Sequence, residues 1–281
     1  MTPRVSVIVP AYNAEATIAD TLSSAWNQSI RPAEIVVADD ASTDRTASLA
    51  EDSGARVLRL EKGNGAIARN RAAGAASGEV LFFLDADDLW EPNKIERHLE
   101  VRTQTPRPLI LDRSQAFASE RAWQAGLSTP GVHPWQDLIN HRAWPSGSGF
   151  SVSREAYWSV GGFHESLTKF QDVDFWIRCA AKNQGFFCLA EVLTLYRLTE
   201  SGVSKGTARH DENLETMLAG WDFAAENEKE KMRRLANLML VERLPIGQAL
   251  RILPKTGFPV GNRFFWKCLL ASLRRTINQQ P

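Results

Sequence analysis

Val5-Ser6-Val7-Ile8-Val9, closed by Pro10-Ala11-Tyr12-Asn13, is the stretch on which the fold turns. Four β-branched residues surround one serine and the run ends at a proline. Such a short apolar run reads as a strand buried on both faces. The period then changes. Ile18, Leu22, Ala25 and Trp26 recur at helical spacing, so an amphipathic helix follows. The same alternation continues outward. Glu34 to Ala38 reads as a strand, Asp44 to Glu51 as a helix, Arg56 to Leu60 as a third strand. Ala66 to Ala76 reads as a helix ending near Gly78, and Val80 to Leu84 as a fourth, very apolar strand. Strands alternating with helices need crossover connections. The expected class is therefore α/β, with a mainly parallel, Rossmann-like sheet flanked by helices.

Past Thr105 the rhythm weakens, and Pro106, Pro108, Pro130, Pro134 and Pro145 interrupt it. Short strands are expected near Leu109 and Phe150, a helix from Asp172 to Lys182, and strands at Phe186 to Leu189 and Leu193 to Arg197. From Ala208 the chain reads as helical, with Pro245, Pro254 and Pro259 separating the pieces.

The chain has 281 residues, 43% of them hydrophobic, enough to bury a substantial core. A charged fraction of 23% and a net charge of zero exclude a disordered charged tail protein and argue against nucleic acid as a partner. Three scattered cysteines, Cys179, Cys188 and Cys268, make no disulfide framework. The opening MTPRVSVIVPAYN carries no basic-apolar-small pattern of a secretory signal, so a cytoplasmic setting is expected. No apolar run approaches the roughly 20 residues of a membrane span. Neutrality conceals one asymmetry. Arg251, Lys255, Arg263, Lys267, Arg274 and Arg275 lie in a tail with no acidic residue.

In open parallel sheets ligands bind beyond the carboxyl ends of the strands. Those ends carry Pro10-Ala11-Tyr12-Asn13, then Asp39-Asp40-Ala41-Ser42-Thr43-Asp44, then Asp85-Ala86-Asp87-Asp88. Three carboxylates in four residues repel one another unless a cation neutralises them, and magnesium is held by one or two carboxylates plus substrate phosphates. The alternative is an acidic loop capping the next helix, with Asp88 near its N-cap. No lysine or arginine is adjacent to the Asp39-Asp40 pair or to Asp85-Ala86-Asp87-Asp88 in sequence. Gly63-Asn64-Gly65-Ala66-Ile67-Ala68 fits a loose dinucleotide pattern. It follows the third strand rather than the first, where that fingerprint belongs.

These segments, with Gly65-Ala-Ile-Ala-Arg-Asn70, Gly161-Gly-Phe-His-Glu165, Gln171-Asp-Val-Asp-Phe-Trp-Ile-Arg178 and Tyr196-Arg197, resemble the family-2 glycosyltransferases over roughly residues 4 to 204. The resemblance implies a GT-A fold and an inverting transfer from a nucleoside diphosphate sugar, a uridine one, to a glycan or lipid-linked acceptor in cell-surface polysaccharide synthesis. By the same resemblance Tyr12 lies against the base and the Pro10 to Tyr12 backbone lines the pocket. Asp40 accepts from a uracil-type imide, Arg69 faces the diphosphate, and Asp85 contacts the ribose. Asp87 binds a divalent metal, Mn2+ or Mg2+, and Asp172 is the general base. Residues 1–105 become the nucleotide-sugar-binding half, 106–206 the acceptor-binding half of the same catalytic domain, and 207–281 a helical C-terminal extension.

Two departures stand out. The family often has Glu-Asp where this chain has Gln171-Asp172, so a single-base mechanism survives and an acid pair does not. The family often has a histidine two residues after Tyr-Arg, where this chain has Thr199; His210 is a candidate substitute. Trp135, Trp144, Trp158 and Trp176 fall in the second half, where aromatic faces pack against sugar rings. For Trp158 and Trp176, at helical positions, core packing is favoured. Arg263 to Arg275 mixes basic residues with Phe264, Phe265, Trp266, Leu269, Leu270 and Leu273. It suits either a helix lying on an anionic membrane surface, at the inner face, or a terminal helix docked on the enzyme. Two rival functions remain. A sugar-phosphate nucleotidyltransferase needs a glycine-rich basic loop after the first strand, where Ala11-Tyr-Asn-Ala14 stands. A non-catalytic glycan-binding scaffold of the same fold is argued against by intact Asp85, Asp87 and Asp172.

Overall fold

The computed structural model describes residues 2–117, 124–140, 144–198, 209–230 and 232–233. Two compact units divide the chain, Met1–Glu200 and Ser201–Pro281.

In the first unit the chain runs β1 (Val5–Ala11), α1 (Ile18–Trp26), β2 (Glu34–Asp39), α2 (Thr46–Asp52), β3 (Arg56–Arg59), α3 (Gly65–Ala75) and β4 (Val80–Phe83). It continues through β5 (Leu89–Trp90), α4 (Lys94–Gln104), β6 (Leu109–Phe117), β7 (Gln124–Ala125), β8 (Gly131–His133) and α5 (Gln136–Asn140). It closes with β9 (Phe150–Ser153), α6 (Arg154–Ser159), α7 (Gln171–Lys182) and β10 (Phe186–Arg197). One sheet takes the order β3-β2-β1-β4-β9-β6-β10-β5, with β7 on β6 and β8 on β10.

β3, β2, β1 and β4 are parallel, as the alternation predicts. Every residue of β4 and nearly every residue of β1 is buried, which fits strands covered by helices on both faces. β9 then runs antiparallel between β4 and β6, so the sheet is mixed at its centre. It carries the sheet across residue 105 without a break. Phe83 of β4 stacks on its register partner Phe150 of β9 at 4.7 Å and 8°. Tyr157, Phe163 and Phe175 pack against the same pair.

Two expectations are corrected. Phe186 to Leu189 and Leu193 to Arg197 are not separate strands. They form one strand, β10, whose register against β6 shifts on either side of Val192. Such bulges keep a strand continuous through residues that break its alternation. Of the two tryptophans expected in the core, Trp176 is fully buried, while Trp158 is 41% exposed on α6.

α4 lays two polar side chains, Lys94 and His98, completely inside the unit. Lys94 Nζ donates to Asp112 Oδ2 and to Thr194 Oγ1 (2.8 Å), and Thr194 Oγ1 donates to Asp112 Oδ1 (2.7 Å). His98 Nε2 stands 3.0 Å from Asp112 Oδ2, and its Nδ1 2.9 Å from Ser151 Oγ. A buried charge pair broken on one side is strongly destabilising, so this cluster ties α4 to β6, β9 and β10 in one arrangement. Burial depresses the Lys94 and His98 values, the latter to about 4. It also works against the Asp112 charge, but Lys94 and His98 outweigh it and hold that carboxyl below its ordinary value.

In the second unit α8 (His210–Ala219) leads to a buried Trp221, and Arg233 bonds Glu215 (3.0 Å) and Glu226 (2.6 Å). The basic tail from Arg251, Cys268 and the His210 side chain lie outside the described residues. No described helix is long and apolar enough to cross a membrane.

Candidate active site

β1, β2 and β4 end side by side, so the residues that follow them share one rim. Ala11 pairs with Asp39 in register, and the Asp40 amide donates to Ala11 O (2.8 Å), which sets Tyr12 beside Asp40. Pro10 is half-buried below them. Asp40 is buried and its Oδ1 accepts the Gly63 amide (2.6 Å), while Lys62 Nζ lies 3.3 Å from Oδ2. The same ammonium covers the ring of Tyr12, a side chain that is otherwise half open to solvent. Asp39 Oδ1 is buried with no hydrogen-bond partner among the described residues, an open acceptor on this rim.

α3 starts at the rim because Asn64 caps it, its Oδ1 accepting from the amides of Ala66 (2.8 Å) and Ile67 (3.1 Å). One turn in, Arg69 reaches across the cleft. Its Nη2 donates to Asp85 Oδ1 at 2.5 Å and its Nη1 to Gln171 Oε1 at 3.1 Å. Burial works against the Arg69 charge, but the Asp85 carboxylate more than offsets it. Gln171 opens α7 and also donates through Nε2 to Leu167 O (2.6 Å), a bond a glutamate could not make. Asp172 is next, its Oδ1 accepting the Val173 amide (2.9 Å). Burial raises the Asp172 pKa; Arg69 pulls it down and Asp85 pushes it up, so all three groups share one electrostatic neighbourhood.

Asp85 is also the link to the other end of the acidic loop. Burial, then the charge of Asp85, lifts Asp87 to about 6. Asp88 is fully buried and raised by burial and by both neighbouring carboxylates. It does not cap the following helix, as one reading of the sequence had it; the N-cap of α4 is Asn93. Asp88 instead accepts from Ser148 Oγ (2.6 Å) and from the Arg197 amide (2.9 Å). Ser148 Oγ in turn accepts the Asp85 amide (2.9 Å), and Arg197 Nε donates to Asp87 O (2.9 Å). The loop is thus clamped from β9's approach and from the end of β10. Gly147 completes the clamp. A Cβ there would stand 2.9 Å from Asp85 Oδ2 and 3.7 Å from Arg69 Nη2, so any side chain would push the Asp85 carboxylate from its present place.

The acidic rim therefore has cations after all, brought by the fold rather than by sequence adjacency: Lys62, Arg69 and Arg197. No local sequence pattern points to Lys62, Gly147 or Ser148. The Tyr196-Arg197 motif was the one available pointer. His164 bonds Ser166 (3.0 Å), and among the described residues no hydrogen bond or ion pair joins it to these carboxylates. Among the described residues no three His, Cys, Asp or Glu side chains are grouped to hold a metal. The Asp87 carboxyl is half-buried and accepts from no other residue's donor in the described structure. One such carboxylate fits a hard cation that takes its remaining ligands from phosphate and water.

Residues 6–161 match glycosyl transferase family 2. The chain is 29% identical over 257 residues to a Bacillus subtilis protein assigned by name to teichuronic acid biosynthesis, the glycosyltransferase TuaG; the match covers 83% of this chain and 98% of that one. It is 42% identical over 101 residues to Escherichia coli WfgD, named a UDP-Glc:alpha-D-GlcNAc-diphosphoundecaprenol beta-1,3-glucosyltransferase, covering 34% of this chain and 40% of that one. In fold it is similar to S. aureus TarS solved with UDP-GlcNAc, with a TM-score of 0.68 at 19% identity over 99% of this chain and 82% of that chain.

Proposed function

The chain belongs to glycosyltransferase family 2, and from that membership and the layout of the rim we propose an inverting sugar transfer from a uridine diphosphate sugar to a glycan or lipid-linked acceptor. Relatives named for teichuronic acid biosynthesis, for amylovoran biosynthesis and for glucosyl transfer to a GlcNAc-diphosphoundecaprenol support that class of acceptor. The observation that carries the reading is Arg69, bonded to Asp85 on one side and to Gln171, the neighbour of Asp172, on the other. One guanidinium joins the diphosphate side of the cleft to the helix that holds the base.

In this reading Tyr12 stacks on the base, and Asp40 accepts the hydrogen bond of the imide N–H where Lys62 now sits. Asp85 takes the ribose, and Arg69 offers its fork of donors to the diphosphate. Asp87 would hold a divalent cation, which when bound neutralises charge on the phosphates. Asp172 removes the acceptor hydroxyl proton as that oxygen forms the new bond to the anomeric carbon. The carbon–oxygen bond to the diphosphate breaks on the opposite face, the leaving group keeps the electron pair, and the configuration inverts. Burial raises the affinity of Asp172 for that proton, which suits a general base. Residues 1–105 serve the donor and 106–206 the acceptor, with the outer side of α3 also facing the acceptor half.

Calorimetry of UDP, GDP, CDP and dTDP, with and without Mn2+, tests the donor side. The reading expects UDP to bind tightest and Mn2+ to strengthen it. Equal affinity for all four, or none, overturns it.

A further inference from the structure

Below the rim, on the outer side of α3, a groove of about 400 Å³ is lined by Asn70, Arg71, Gly74, Trp158, Gly161 and Glu165. That volume falls in the range of small-ligand sites, about 300–1,000 Å³. Nothing in the proposed mechanism uses it. We infer that this groove is a second carbohydrate site, which holds a pyranose ring of the glycan acceptor away from the reacting end.

The floor is aromatic. Trp158 stands edge-on to Tyr157, with ring centroids 4.9 Å apart at 87°, and this fixes the indole in place. Gly74 presents no side chain toward it; a Cβ there would meet Trp158 Cζ2 at 3.9 Å. Trp158 is 41% exposed, and its indole N–H donates to no group among the described residues. A pyranose has a matching pair of surfaces, an apolar face of C–H bonds and a rim of hydroxyls.

The walls are set before a ligand arrives. Asn70 Oδ1 accepts from Tyr157 Oη (2.6 Å) and the Phe163 amide (2.9 Å). Asn70 Nδ2 donates to Phe163 O and to Glu165 Oε1, both at 2.9 Å. Asn64, the cap of α3, donates to Glu165 O (2.8 Å). A pre-organised wall lowers the ordering cost of binding. Above this frame Arg71 is exposed and makes no ion pair or hydrogen bond among the described residues. It offers up to five donors to sugar hydroxyls or a ring carboxylate, and Glu165 Oε2 offers an acceptor to sugar hydroxyls.

The placement suits an acceptor. Gly74 follows Arg69 by five residues on the same helix, roughly 7.5 Å along its axis. Five residues also turn the helix by about 140°, so Gly74 faces away from Arg69, and the groove meets the rim at its Glu165 end, where Asn64, the cap of α3, donates to Glu165 O. The inference extends the functional reading above, because the ring it holds belongs to that reading's acceptor.

The test is ligand-observed NMR on the full chain with chitotriose, cellotriose and trigalacturonate, alongside calorimetry with UDP. Saturation transfer to at least one trisaccharide is expected. Trp158→Ala should weaken it about tenfold. Gly74→Met should fill the groove and abolish it while favouring the helix. Both variants should bind UDP within about twofold of the parent, since neither residue touches the rim. No transfer to any of the three sugars overturns the inference, and so does unchanged binding by Gly74→Met. Failure to bind UDP with trisaccharide binding intact would instead sink the donor reading and leave the groove standing.

Discussion

Lys62 Nζ stands 2.9 Å from the centroid of the Tyr12 ring, while the same ammonium pairs with Asp40 at 3.3 Å. Two residues proposed to receive the base are thus held by a side chain of the protein itself. A base entering this pocket has to displace that ammonium. Lys62→Met removes the competitor. The expected result is a two- to fivefold lower Kd for UDP by calorimetry, about the equivalent of one exposed cation–π contact. A weaker Kd would show instead that Lys62 contacts the nucleotide.

Asp172→Asn keeps the shape of the α7 terminus and removes the proton acceptor. UDP affinity should stay within about twofold while kcat falls by roughly 10² to 10⁴. A variant with near-parental turnover would exclude Asp172 as the base.

Gln171→Glu adds a carboxylate beside Arg69 and loses the bond to Leu167 O. The added charge disfavours ionisation of Asp172. The acidic limb of the kcat–pH profile should move to higher pH, and an unmoved limb would show that the two side chains do not couple.

Asp87→Asn should abolish the Mn2+ enhancement of UDP binding, a loss of roughly tenfold or more. Metal-free UDP affinity should change little. An enhancement that survives would separate Asp87 from the cation.

His98 is buried against Lys94, Asp112, Arg102 and Ser151, and its pKa falls from 6.5 to about 4, chiefly through burial. The unfolded chain binds the proton more tightly, so the stability of the neutral form is fully present above pH 6.5. It is lost as pH drops toward 4. Over that window the loss is on the order of 3 kcal/mol. Chemical denaturation of His98→Gln should show a flatter stability–pH slope between those limits than the parent, and equal slopes would remove His98 from the acid sensitivity.

How much of this was readable from the chain depends on range. The runs Val5 to Val9, Glu34 to Ala38 and Val80 to Leu84, with the helical spacing between them, determine a parallel α/β half by themselves. Strand and helix periodicity is written in neighbours along the chain. The placement of Tyr12, Asp40 and Asp85 on one rim follows too, because parallel strands put their carboxyl ends together. The bulged continuity of β10 was hidden, since Ala190-Glu191 interrupts its apolar pattern. Trp158 sits at a helical position that periodicity reads as core, and only packing shows that its helix turns it outward.

Charge partners were beyond the sequence. Arg69 meets Asp85 across 16 residues and Gln171 across 102. Arg197 meets Asp87 across 110, and Thr194 meets Asp112 across 82. A lysine such as Lys94 looks like any solvated helix residue until β6 and β10 close over it. The chain alone determined the parallel half of the sheet, the acidic rim and the family resemblance, because each is encoded in local order. Which cation faces which carboxylate was decided only by tertiary structure, because electrostatic energy depends on separation in space and on burial, and neither is set by distance along the chain.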